Sequence, residues 1–206
     1  PSWTNRTLAM LTPYSLLQAA EVHITASDVA TEYAGFLAYF GIFGALGFRW
    51  LVLRRTASRQ PEIGATGGPV ALSLQSAEIG AARIGIIGAF FMLLNLLMSL
   101  SARASEKGIS FGSAIAAGGG RTITAFLFVA VFLLAFAVAL KRARAAWIVA
   151  ALAGIIYALQ NIRSGKWASL VNPLHEVAAS LWIGTLFVVV VAGLPAILRS
   201  TLSSAR

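Results

Sequence analysis

His175 and Glu176 stand side by side in NPLHEVAASLWIG (172–184), at the mouth of a long apolar stretch. The chain has only two histidines, His23 and His175. An imidazole can ligate a metal or carry a proton, and an ionisable group at membrane depth is costly enough to point to function. Met98, in the outer half of another apolar stretch, adds a thioether. Imidazole, thioether and carboxylate together suit copper best among the common metals, because thioether selects Cu(I) and imidazole accepts either oxidation state. His175, Glu176 and Met98 are therefore the candidate metal ligands. No HxH, HxxxH or MxxM spacing reinforces them, and structural metal ligands come in threes or fours. A plainer reading exists for both residues of the pair. Asn172 suits a helix N-cap and Pro173 a first turn, which would put Glu176 against the positive end of the helix dipole. His175 would then be a hydrogen-bonded histidine at the interface. A bis-histidine haem would need His23 inside an apolar segment, and it lies before the first.

At helical spacing His175, Ala179 and Trp182 share one face, and Glu176, Ser180 and Gly184 the next. The second face is lined by small residues and suits close approach of another helix. Glu32, Tyr33, Asn95, Ser99, Tyr157, Gln160 and Asn161 fall near the same end of their segments. Lipid offers no hydrogen bonds, so these groups are expected to face inward around a polar pocket. Gly35, Gly41, Gly44 and Gly47 predict tight helix packing. No nucleophile elbow, P-loop, dinucleotide fingerprint or pair of catalytic carboxylates is present, and the expectation is a chain that is not an enzyme.

The elements that must position these groups are membrane helices. Of 206 residues, 58% are hydrophobic and 11% charged, against about a quarter charged in soluble domains; the mean hydropathy is +0.81. Apolar runs of about 20 residues predict an all-α, polytopic integral membrane helical bundle of about five transmembrane helices. The spans are placed at about 30–53, 79–101, 121–140, 146–162 and 174–198. They form one membrane domain, 30–206, after an outer N-terminal segment, 1–29, in which 12–22 suits a short interfacial helix. Residues 54–77 read as a mobile loop, and 104–120 as a glycine-rich surface turn. The chain has no cysteine, which excludes disulfides and thiolate metal sites.

The net charge of +9 would suggest nucleic acid in a soluble protein. Here it decorates helix ends, and no nucleic-acid partner is expected. One side takes Arg49, Arg54, Arg55, Arg59, Arg83, Lys141, Arg142, Arg144, Arg199 and Arg206. The other takes Arg6, Arg103, Lys107, Arg121, Arg163 and Lys166. The richer side is expected to be cytoplasmic, with the N-terminus outside, the C-terminus inside, and both histidines facing outward.

The fifth span resembles the copper-resistance D (CopD) membrane family, whose members show a His, six residues, then Trp-x-Gly near a helix start. His175, Ala178, Ala179, Trp182, Gly184 and Leu186 fit that pattern, and the likeness extends over about 79–198. The family often has a second His in the preceding loop, where this chain has Ser164, Gly165, Lys166 and Trp167, and its fuller members have about eight spans. The resemblance implies a multi-pass protein of the bacterial inner membrane that handles or imports copper from the periplasmic side, with copper as its ion. The alternative is an accessory subunit without a metal of its own, packed against partner membrane chains of a respiratory, photosynthetic or transport complex, or against itself. The lipid bilayer is a partner in either case.

Overall fold

The computed structural model describes residues 26–59, 69–160 and 168–198. The 12–22 segment, His23, Asn161 and the SGKW loop lie outside the described residues. Among the described residues there are six α-helices, α1 (Ala26–Gly47), α2 (Arg54–Arg59), α3 (Pro69–Glu106), α4 (Phe111–Ala139), α5 (Arg144–Gln160) and α6 (Ala168–Val188), and no strand. A π-helical turn, Phe48–Leu53, joins α1 to α2 without a break, and a second, Val189–Gly193, follows α6. The protein is an all-α helical membrane bundle.

Four helical stretches are long and apolar enough to cross a membrane: Asp28–Thr56, Ala71–Glu106, Phe111–Ala139 and Leu174–Leu198. α5 has 17 residues, the lower limit for a span. It packs along α4 between Phe136 and Phe128. Trp147, near its start, meets Phe136 edge-on at 5.7 Å, and Tyr157, near its end, meets Phe128 at 5.4 Å. Contacts of α1 fix the directions of its neighbours. Pairing of Gly35 with Asn95 and of Gly41 with Gly88 makes α3 antiparallel to α1, while pairing of Gly44 with Gly184 and of Phe48 with Gly193 makes α6 parallel to it. The bundle thus has two distinguishable ends, a Glu32 end and an Arg49 end.

α1 is the central helix. Residues 41–48 are all buried, and α1 packs on α3, α6 and α5. Small residues make this possible. A Cβ on Gly44 would come 2.6 Å from the backbone of Gly184, and one on Gly41 would come 2.6 Å from Gly88, so these helices cross backbone to backbone. On the far side of α3 the packing is aromatic, with Phe132, Phe136 and Trp147 fully buried. The outer surface is apolar: Leu134, Ile123 and Leu127 are each more than 60% exposed, as a lipid-facing surface requires and a soluble domain avoids.

The structure revises several expectations. Residues 54–59 and 69–77 are helical rather than loop, because nothing in RRTASR or in PVALSLQSA breaks a helix and Pro69 suits a first turn. α3, at 38 residues, is about 57 Å long and outruns the hydrocarbon layer. It ends at Lys107–Gly108, where Gly108 takes φ +60° and Ile109 N–H donates to Ala104 O at 3.0 Å, a left-handed helix stop. The expected surface turn at 104–120 is instead mostly helix. Ser110 caps α4, its hydroxyl accepting from Ser113 N–H at 3.2 Å. Gly119, at φ +51°, kinks α4 between a short leading helix and the long apolar one. Finally, Asn172 is not an N-cap, because α6 already begins at Ala168. Pro173 is then the sixth residue of α6, past the first turn, where it removes one i→i−4 hydrogen bond from the helix.

Candidate functional site

At the Glu32 end, α1, α3 and α6 enclose a cavity of about 130 Å³ lined by Glu32, Gly35, Phe36, Tyr39, Asn95, Glu176 and Ser180. Each side chain arrives by helical spacing. Glu32, Gly35 and Tyr39 lie at i, i+3 and i+7 on α1, and Glu176 and Ser180 lie four apart on α6. Because α6 starts at Ala168, Glu176 lies more than two turns inside the helix. The dipole at the helix start therefore gives no account of its position; it faces the cavity. Ser180, 2% exposed, lies one turn deeper, and Gly184 one turn below that locks onto Gly44. The small-residue face expected for Glu176, Ser180 and Gly184 is the face that packs inward.

Asn95 forms the wall on α3. Its Nδ2 donates to the Thr31 carbonyl at 2.6 Å, tying α3 to α1 at this level. Gly35 leaves the amide room, since a Cβ there would sit 3.2 Å from Asn95 Nδ2. Below lies a second, smaller chamber of about 30 Å³ that shares Gly35, Tyr39 and Asn95 and adds Met92, Phe132 and Tyr157 among its walls. Tyr39 hydrogen-bonds Tyr157, and Glu176 is close enough to act electrostatically on the Tyr157 hydroxyl. The two chambers are therefore linked through polar groups as well as through shared walls.

The three sequence-derived ligand candidates separate. Glu176 lines the cavity. His175 is exposed and lines neither chamber, and Met98 is half-buried and lines neither. Of the other polar groups expected around a pocket, Glu32, Asn95 and Tyr157 take part, whereas Tyr33 is 66% exposed and Gln160 is exposed. Trp182, on the same helix face as His175, is 70% exposed and points away from the bundle. Among the described residues no three His, Cys, Asp or Glu side chains gather as a metal-binding group. The cavity instead offers two carboxylates from different helices, an amide, a phenol and a hydroxyl. This is an oxygen-rich set for a small cation, with one thioether in the chamber below.

Sequence reasoning missed Tyr39 and Glu78, and set Met92 aside because it lies six residues from Met98 and shares no face with it. Tyr39 hides in an apolar run, although its spacing from Glu32 was a usable signal. Met92 and Met98 lie three residues on either side of Asn95, so spacing alone does not separate them; of the two only Met92 lines the small chamber. Glu78 pairs with Arg49 at 2.8 Å near the other end, each side chain 20% exposed. The contact is one of charge, since the Arg49 Nε–H is not aligned for a hydrogen bond.

No protein-family model, no curated protein and no solved structure matches this chain.

Proposed function

We propose that this chain is a CopD-like integral membrane protein that takes up copper as cargo at the outer face of a bacterial inner membrane. In this reading the Glu32 end faces the periplasm, the N-terminus lies outside and the C-terminus in the cytoplasm. The observation that carries it is the cavity walled by Glu32 and Glu176. Glu32 and Glu176 are both exposed and stand near the starts of their spans, so two separate helices bring an acidic pair to one opening, which attracts a cation. Carboxylate and amide oxygens form a loose set rather than a closed cage of the kind that structural metals occupy, which suits an ion that must leave again. Binding and release need no bond chemistry, so the chain works without catalysis. His175 stands at the same end, one residue from Glu176, as an outer contact.

Equilibrium copper binding to the purified protein tests this reading. Glu32→Gln and Glu176→Gln should each weaken binding by about tenfold, as loss of one charged ligand implies. A protein that binds no copper at micromolar free metal would sink the proposal.

A second reading is the accessory subunit without a metal of its own. It is favoured by the outward-facing His175 and Trp182, since a buried partner surface commonly carries an aromatic anchor. Purification of the chain only together with other membrane subunits, copper-free, is the result that reading requires.

A further inference from the structure

The acidic cavity continues sideways. Glu32 and Phe36 of α1 line both the cavity and a wider groove of about 710 Å³, whose described walls also include Val29, Tyr33, Leu37 and Phe40. These positions recur at helical spacing, so one face of α1 carries the groove. Tyr33, Phe36 and Leu37 are exposed, which opens it to the lipid side. Asp28 and Glu32 stand at its acidic end and Phe40 at the other. The rise from Asp28 to Phe40 is about 18 Å, comparable to one leaflet of the hydrocarbon layer. In the cavity itself, Phe36 and Tyr39 stand with Glu32 and Glu176. Carboxylates attract any cation, but ring faces favour one that sheds water readily, as an organic ammonium does. At about 130 Å³ the space holds several water-sized bodies, more than a bare ion fills. Ser180 also lines it while 2% exposed, with no hydrogen bond from its hydroxyl to another described residue. A buried polar group is thus left for a ligand to meet.

We propose that cavity and groove together bind a cationic amphiphile, an alkylammonium. Its head sits in the cavity with Glu32, Glu176, Phe36 and Tyr39, and its chain lies in the groove along Tyr33, Leu37 and Phe40. The two spaces share Glu32 and Phe36, four residues apart, so head and chain are held on either side of one helical turn. Charge decides against an ordinary phospholipid. Its phosphate would meet Asp28, Glu32 and Glu176, and no cationic side chain among the described residues lines either space. The ligand comes from the bilayer, where its chain already holds it, and binding makes and breaks no covalent bond. Nothing in this site requires copper: the acidic opening serves a second class of cation, whether or not a metal also enters.

The test is binding of radiolabelled dodecyltrimethylammonium to the full chain in an uncharged detergent, read by scintillation proximity. Binding should saturate and be displaced by the unlabelled compound. Tetramethylammonium, which lacks the chain, should compete at least about tenfold more weakly, and dodecylphosphocholine, which carries a phosphate, should not compete. Glu32→Gln and Glu176→Gln should each weaken binding by about tenfold. Leu37→Trp, which narrows the groove at an exposed position, should weaken the dodecyl compound and leave tetramethylammonium unchanged. Uptake that never saturates overturns the proposal, as does equal competition by dodecylphosphocholine. Equal affinity for the compounds with and without a chain overturns the groove. Unchanged binding in both glutamine variants overturns the acidic head site. The competition series uses the unmodified protein, so it decides the matter even if a variant does not fold. Copper binding without amphiphile binding overturns this site and leaves the metal reading standing; amphiphile binding without copper does the reverse.

Discussion

Gly44 of α1 and Gly184 of α6 touch backbone to backbone, with no room for a methyl group on either. The crossing lies two turns below Glu176, so it fixes the depth and rotation of α6 that bring this carboxylate to the cavity. Gly184→Ala should therefore cost about 1–3 kcal/mol through overpacking and should widen the spacing between Glu32 and Glu176. Gly112→Ala is the matched control, because nothing lies within 4 Å of a Cβ there and alanine favours the helix by about 0.5–1 kcal/mol. Thermal melting in detergent should move in opposite directions for the two variants. Equal melting temperatures would count against the close crossing.

The Arg49–Glu78 pair ties α1 to α3 near the opposite end. Removing one partner leaves a partly buried charge without its counterpart, so Glu78→Gln should destabilise the protein by about 1–3 kcal/mol, below the range of a fully buried pair. Replacing both residues by methionine should recover most of that loss. If the double variant melts no higher than Glu78→Gln, the pair is not the source of the effect.

The turn between α4 and α5 places Arg142 at φ +65°, a conformation that disfavours a residue carrying a Cβ by about 1 kcal/mol. Arg142→Gly should raise stability by up to about that amount, and Arg142→Val should lower it. The comparison is by melting midpoint under one detergent condition, and a lower midpoint for the glycine variant would show the left-handed turn to be absent.

Orientation has a clean assay because the chain has no cysteine. Lys107 and Lys141 are both exposed, at the Glu32 end and the Arg49 end respectively. The arginine-rich ends predict that a cysteine at 107 reacts with an impermeant reagent added outside intact cells and that one at 141 does not. The reverse pattern would turn the cavity to the cytoplasm and remove the entry reading with it.

Much of the bundle was legible in the sequence because membrane helices announce themselves by length and hydropathy. The runs around Ile42, Leu94, Leu133 and Val190 are helical where they were expected. Helix ends were harder. They depend on stop signals, and neither Arg54–Arg59 nor Val70–Ala77 contains one, so both extend helices into what composition alone reads as loop. Glu176, Asn95 and Tyr157 could be assigned to one polar level because only protein can satisfy them there. His175 looked like a ligand because it is rare, yet rarity says nothing about azimuth. One position, about 100° around the helix, separates the face that sees the cavity from the face that carries Trp182. Met92 was set aside for the same reason in reverse. It differs from its apolar neighbours by a single sulfur atom, and only the direction of its face brings it under Asn95.

The two π-helical turns, Phe48–Leu53 and Val189–Gly193, lie at one depth in parallel helices, where a Cβ on Gly193 would lie 3.3 Å from the Phe48 ring. Each wide turn holds one residue more than an α-helical path would need, so each works as an insertion retained in the middle of a span. Deleting one residue from either stretch would therefore return it to an α-helical path and leave the halves above and below near their present phase. Only the turn itself would shift, with Arg49 on one helix and Ala192 on the other, each of which meets α3. The wide turns thereby give this level of the protein room to lose a residue while the half that holds Glu32, Asn95 and Glu176 keeps its geometry.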